Sequence, residues 1–226
     1  KGALTEYLSK KKFKKLFLIE KDNNLAAQLK LKYKKIKNIF IINDDALTFD
    51  YNIFKNAEEK VVIYGNLPFN ISTNLLSKWI SDNEWPSFFD KMILMFQKEV
   101  AERILADVNS KAYSRITILS KWKFDIKKIT DVKPNSFFPK PKVHSTVLEF
   151  IPKKKFHEIK DPKNIEKVTR IFFNQRRKKI KKPMKQLFKN FNSISEKLRL
   201  NLDLRPQNIS IEDYFKICKV YEKLNH

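Results

Sequence analysis

Over the first 150 residues, short runs rich in aliphatic and aromatic side chains alternate with segments of helical periodicity, and this order constrains the fold more than any other feature. It requires a largely parallel sheet covered by helices. Leu16-Phe17-Leu18-Ile19 reads as a buried strand closing at Glu20. Asp22 then caps a predicted helix to Tyr33, with Leu25, Ala26, Leu29 and Tyr33 on one face. Asn38 to Ile42 is a second predicted strand, ending in Asn43-Asp44-Asp45. Val61 to Tyr64 is a third, ending in Gly65-Asn66-Leu67-Pro68-Phe69. Ser72 or Thr73 opens the next helix, whose apolar stripe is Leu75, Leu76, Trp79 and Ile80. A fourth strand at 91–96, helices at 99–105 and 113–124, and two alternating segments at 126–132 and 143–151 complete the pattern. The last two are expected to form an antiparallel edge.

Past Pro152 the pattern changes. A Lys-rich joint leads into periodic segments at 165–173, 178–191 and 211–224, with no convincing strand. The expected organisation is an α/β domain over 1–152 with a mostly parallel sheet and an antiparallel edge, followed by a small all-helical basic domain over 153–226.

The chain carries 48 Lys and Arg against 25 Asp and Glu, a formal charge of +23. An excess of this size points to a polyanionic partner. Only 7 of the basic residues are arginine, and Asn, Ile and Phe are abundant, as an A/T-rich genome would produce without functional pressure. The distribution is more telling than the total: residues 151–226 hold +13 and residues 1–150 only +10. The densest cluster is Arg176, Arg177, Lys178, Lys179, Lys181 and Lys182, readable as an RNA-docking surface or as a solvated helix face.

Other classes fall away. A single cysteine, Cys218, excludes a disulfide framework or a cysteine-based metal site, and its apolar helical stripe marks it as core. His144, His157 and His226 lack metal-ligand spacing, so no metal is expected. No Ser/His/Asp or Cys/His constellation is present, and no apolar run reaches the ~18–20 residues of a membrane span.

In an open parallel sheet, ligands bind beyond the carboxyl ends of the strands. Three successive strands here end in polar residues. Glu20 lies 18 residues after Gly2, close to the spacing at which a carboxylate accepts both hydroxyls of a ribose. Asp45 suits the amino group of an adenine. Taken singly, each is an ordinary loop acid; in succession they point to a nucleotide or to S-adenosylmethionine. The third end, Asn66-Leu67-Pro68-Phe69, separates these cofactors. An exocyclic base amine needs acceptors for its two N–H protons while its lone pair turns toward an electrophile. The Asn66 side-chain oxygen and a carbonyl of Leu67 or Pro68 supply them, and an aromatic at position 69 can stack on a base rotated out of its helix.

These segments resemble the KsgA-type small-subunit rRNA adenine dimethyltransferases. The resemblance is carried by Leu18-Ile19-Glu20-Lys21-Asp22, Asp45-Ala46-Leu47-Thr48-Phe49, Gly65 to Thr73, Gln97-Lys98-Glu99-Val100, Asn109 to Tyr113 and Phe137-Phe138-Pro139-Lys140-Pro141-Lys142-Val143. It covers residues 1 to about 150 well and the basic tail, with Phe173 to Lys179, more loosely. It implies a Rossmann-like S-adenosylmethionine-dependent methyltransferase fold and methylation of N6 of two adjacent adenosines in a small-subunit rRNA hairpin loop during ribosome assembly. By the same resemblance, Glu20 holds the cofactor ribose, and Asp45 with the Ala46 backbone holds its adenine. Gly2 belongs to the glycine loop, Asn66 with Leu67 or Pro68 holds the target amine, and Phe69 and Phe137 enclose the base. Without the resemblance, Phe137 and Phe138 read as core packing at a turn made by Pro134, Pro139 and Pro141.

Lys98, Arg103, Lys111 and Arg115 are expected to track RNA phosphate together with the 176–182 cluster. The expected state is a monomer, cytoplasmic or organellar, acting on small-subunit rRNA in a pre-ribosomal particle without metal or membrane. Two alternatives share the fold: a large-subunit rRNA dimethyltransferase of macrolide-resistance type, and a non-catalytic assembly factor. The chain opens on Lys1 and holds 2 glycines, so a strand and a Gly-x-Gly loop are expected upstream of Gly2.

Overall fold

A computed structural model of the chain describes residues 2–54, 59–81 and 87–225. The side chain of Phe69, expected to stack on the target base, and His226 lie outside the described residues. The chain divides into two compact units, Lys1–Ile53 and Phe54–His226.

The first unit begins at Gly2, whose φ of 72° and ψ of 21° lie in the left-handed region, and a Cβ there would stand 3.1 Å from Leu29 Cδ2. Glycine suits both conditions. Helix α1 (Ala3–Ser9), strand β1 (Leu16–Glu20), helix α2 (Asn23–Lys32) and strand β2 (Ile39–Asn43) follow. Asp22 caps α2 as its sequence position requires, its carboxylate accepting from Leu25 N at 2.8 Å. β1 and β2 pair in parallel, Leu16 opposite Ile39 through Glu20 opposite Asn43. Leu29, Tyr33 and Ile39 form the buried centre, with Phe13, Leu16, Leu18, Leu25 and Ile41 packed around it.

The second unit contains β3 (Val62–Asn66), α3 (Phe69–Ile80), β4 (Lys91–Gln97), α4 (Lys98–Leu105), α5 (Arg115–Lys123), β5 (Phe124–Val132) and β6 (Ser145–Pro152). After β6 the described residues form only helices, among them α6 (Pro162–Phe173), α7 (Lys181–Leu187), α8 (Phe191–Lys197) and α9 (Ile211–Asn225). The sheet order is β3-β4-β6-β5, with β3 and β4 parallel and the other pairs antiparallel. Met92, Leu94 and Phe96 of β4 and Leu148 and Phe150 of β6 are fully buried, as are Leu75, Leu76 and Ile80 of α3. The expected antiparallel edge is present, with an irregular register between Lys128 and Thr130.

Several boundaries differ from expectation by a few residues, as where the expected helix 113–124 is Arg115–Lys123 and β5 already starts at Phe124, and three differences have a clear cause. β3 continues through Gly65 and Asn66, which still pair with Leu94 and Met95. α3 starts at Phe69, ahead of Ser72, because Pro68, with φ of −54° and ψ of 132°, already delivers the chain into the helix and its carbonyl accepts from Ile71 N and Ser72 N. The segment 178–191 is not one helix: Phe188 turns extended (φ −135°) and is buried, so α7 stops there and α8 restarts after Asn190.

The terminal helices close on Ile165, Val168 and Phe172 of α6 and on Tyr214, Ile217 and Cys218 of α9, all fully buried. The bonds that fasten this helical part to the α/β part include Tyr113 Oη to Ile209 O at 3.0 Å, Ser81 Oγ to Glu166 at 2.6 Å and Trp122 Nε1 to His157 O at 2.7 Å. Among the described residues no helix is long and apolar enough to cross a membrane.

Candidate active site

In the first unit the parallel register sets Glu20 opposite Asn43, so the chain leaves both strands at the same sheet edge. Asn43 Nδ2 donates to Glu20 O at 2.9 Å and Asp44 N donates to the same carbonyl at 3.1 Å, locking the two strand ends together. The half-buried Glu20 accepts from Asp22 N at one oxygen, 2.9 Å away. Asp45 accepts from Leu47 N at Oδ1 (2.9 Å) and from Lys21 Nζ at Oδ2 (2.7 Å), while its carbonyl caps the following turn through Thr48 N and Phe49 N. Ala46 gives its carbonyl to Tyr51 Oη at 2.9 Å. A carboxylate has about four lone-pair sites, so Glu20, engaged by Asp22 N at one oxygen, keeps acceptor capacity for a ligand.

In the second unit Asn66 is exposed at the end of β3. Gly65 before it needs no special φ; a Cβ there would lie 2.8 Å from Leu94 Cδ2 and 3.0 Å from Leu67 Cδ2, so the missing side chain makes room for close packing under the turn. The register aligns Asn66 with Met95, and Gln97 two residues on with Ser145, which also pairs with Val132. Hence the end of β3, the end of β4 and the 133–144 loop all emerge at one sheet edge. Lys98 N donates to His144 O at 2.9 Å and ties that loop to α4. Phe137 is half-buried, whereas Phe138 is fully exposed, so core packing does not account for Phe138.

The expected RNA contacts separate into two kinds. Lys98, Arg103, Lys111, Arg177, Lys178, Lys179, Lys181 and Lys182 are exposed. Arg115 and Arg176 are partly buried. Burial pulls the Arg115 guanidinium pKa down, with Glu166 opposing, and its Nε is buried without a hydrogen-bond partner among the described residues. Arg176 donates to Gln207 Oε1 at 3.3 Å and to the Lys111 carbonyl. Gln207 O in turn accepts from Asn109 N at 2.9 Å. Arg176 therefore braces the 107–113 loop against the terminal helices, and Lys179 pairs with Asp203 at 2.8 Å.

The family model described as ribosomal RNA adenine dimethylase matches residues 1–223. The chain belongs to the ribosomal RNA adenine dimethylase family. Its relatives include the ribosomal RNA small subunit methyltransferase A of Pelagibacter ubique, 51% identical over 99% of this chain and 84% of the relative. The protein of the same name from Ehrlichia ruminantium is 39% identical over 96% of this chain and 81% of the relative. Among solved structures, a dimethyladenosine transferase from Plasmodium falciparum superposes with a TM-score of 0.72 at 26% identity, covering 94% of this chain and 83% of that one. The 23S rRNA methyltransferase ErmE shares the fold, with a TM-score of 0.65 at 19% identity over 100% of this chain and 87% of that one.

Within this dimethylase, the sequence puts Glu20 and Asn66 at strand ends and Asp45 just after one, and in the structure Glu20 closes β1, Asn66 closes β3 and Asp45 follows two residues after the end of β2. Sequence reading overlooked Lys21, whose only signal was an opposite charge beside Glu20. It also overlooked the bracing by Gln207, which no local pattern announces.

Proposed function

We propose that this family member transfers methyl groups from S-adenosyl-L-methionine to N6 of two adjacent adenosines in a small-subunit rRNA hairpin loop during ribosome assembly. The observation that carries the reading is Asn66, a neutral acceptor exposed at the end of β3 ahead of a proline-set turn. The names of the relatives at 51% and 39% identity favour the small-subunit substrate over the large-subunit one.

Glu20 accepts the ribose hydroxyls of the cofactor. Asp45 accepts its adenine amino protons, the Ala46 backbone completes that contact, and Gly2 lets the chain approach closely. Bound there, S-adenosylmethionine supplies a methyl carbon made electrophilic by the sulfonium. Asn66 Oδ1 accepts one N–H of the target amine. Pro68 O is already engaged by Ile71 N and Ser72 N, which favours Leu67 O as the second acceptor. These two contacts turn the nitrogen lone pair out of the ring plane. The proton leaves after transfer, when the nitrogen is cationic and acidic, so no strong base is needed. Phe69 and Phe137 enclose the base. Alignment supplies much of the rate, and a misplacement of about 1 Å costs about 100-fold.

Lys98, Arg103, Lys111, Arg177, Lys178, Lys179, Lys181 and Lys182 meet phosphates, with Arg115 and Arg176 supporting that surface from below. The enzyme acts as a single chain on the pre-ribosomal particle, in the compartment where small subunits assemble.

The test is methyl transfer from labelled S-adenosylmethionine to under-methylated small subunits and, in parallel, to large subunits. The reading expects N6,N6-dimethyladenosine in the small subunit alone. It also expects at least about a 100-fold loss with Asn66→Ala while calorimetry still shows cofactor binding. Labelling of large subunits alone, or absence of cofactor binding by the wild type, would sink it.

A further inference from the structure

Phe138 sits near the middle of the 133–144 loop and is 102% exposed, the largest value among the exposed large hydrophobic residues that the structure describes. Scattered exposed apolar residues need no explanation, but the surroundings of this one are particular. The loop holds Lys133, Lys140 and Lys142 and no acidic residue. Its ends are pinned by the Val132–Ser145 pairing and by Lys98 N on His144 O at 2.9 Å. Pro134, Pro139 and Pro141 restrict the backbone between them, which lowers the entropy cost of holding a ring out in water.

Its position is equally particular. Asn66 aligns through Met95 and Val147 with Thr130 of β5, two residues before the strand ends. Those strands lie three spacings apart, about 14 Å. The loop that presents Phe138 therefore rises from the same sheet edge as Asn66, within the span of a few nucleotides. An exposed aromatic face set among lysines offers a base stacking and its phosphates counter-charges, the combination that single-stranded nucleic acid selects.

We propose that Phe138 is a second stacking residue, taking the face of an unpaired base that neighbours the methylated adenosines. Phe137, half-buried beside it, serves the target base itself. The inference rests on the reading of the chain as an rRNA adenine methyltransferase. Phe138 holds the strand beside the target rather than touching the reacting atoms, so it is a positioning residue.

The test measures binding of the whole chain, by fluorescence anisotropy, to an RNA hairpin with unpaired loop adenosines and to a fully paired duplex of equal length. Phe138→Ala and Phe138→Leu are expected to weaken hairpin binding by about 5- to 150-fold, the range that loss of one base stacking on an aromatic gives. Phe138→Trp is expected to bind the hairpin at least as tightly as wild type. Duplex binding is expected to be unchanged in all three. The salt dependence of hairpin binding is expected to keep its slope, since a phenyl ring neutralises no phosphate. Equal binding of wild type and Phe138→Ala to the hairpin overturns the proposal. So does rescue by leucine, which would mark a plain apolar contact, or an equal loss on the duplex. If the wild type methylates small subunits while Phe138→Ala binds normally, only this inference fails. If the wild type neither binds the hairpin nor methylates, the functional reading fails with it.

Discussion

Lys21 Nζ stands 2.7 Å from Asp45 Oδ2, so the residue after the first strand holds the carboxylate that follows the second. The lysine is 76% exposed and the aspartate 24%, which leaves the pair open to solvent and to salt. Lys21→Met should weaken S-adenosylmethionine binding by about 2- to 5-fold, as loss of an exposed pair does, with little change in melting temperature. The hydrogen bond to Asp45, and then its charge, raise the Lys21 pKa above 10.5. A raised lysine contributes fully below its unfolded value and loses its contribution as pH rises through the folded one. Cofactor affinity measured by calorimetry should therefore show no Lys21-dependent change between pH 7 and pH 9. A change in that interval that Lys21→Met abolishes would refute the assignment.

Gly65 is confined by packing rather than by backbone conformation. Alanine would bring Cβ to 2.8 Å from Leu94 Cδ2, and Leu94 is fully buried, while Leu67 stands at 3.0 Å on the other side. Gly65→Ala should cost about 1–3 kcal/mol in urea unfolding, as overpacking does. The displaced Leu67 should lower methyl transfer more than it lowers cofactor binding. Wild-type kcat in this variant would show that the turn tolerates the shift.

Tyr113 carries the clearest single link between the 107–113 loop and the terminal helices. It is fully buried, its hydroxyl donates to Ile209 O at 3.0 Å, and burial, with Asp213 adding, raises its pKa so that the donor proton is kept throughout the working range. Tyr113→Phe leaves that carbonyl without its donor and should lower stability by about 1–3 kcal/mol. The urea midpoint should fall with the slope unchanged. A midpoint equal to wild type would mean that the carbonyl finds another partner.

Cys218 lies buried in α9, and burial, with Glu222 nearby, pushes its thiol pKa up to about 12. The thiolate is the reactive form. A disulfide reagent at pH 8 should leave the native chain unlabelled and titrate one thiol per chain only in denaturant. Rapid labelling of the native protein would contradict the packing of α9 against α6.

Strands, caps and strand-end residues were legible because each depends on near neighbours. Asp22 caps α2, the apolar stripe of α3 is buried, and Glu20, Asn43 and Asn66 close their strands, all from periodicity and a few adjacent side chains. The Asn66-Leu67-Pro68-Phe69 chemistry was legible for the same reason, being contiguous. The break after α7 was not, since it follows from burying Phe188, a demand set by distant helices.

Charge and aromaticity were read correctly as composition, but not as exposure. Arg176 looks like its neighbour Arg177 in the sequence, yet it is spent on Gln207 and Lys111, which lie 31 and 65 residues away. Phe138 looks like Phe137, yet it stands wholly in solvent. The sequence by itself determined the mixed α/β order, the polar strand ends and the basic excess. Only the tertiary structure decided which basic and aromatic side chains face outward. That choice depends on the packing of the whole unit, where burying one ring or pairing one guanidinium is weighed against every other contact that the same backbone must satisfy.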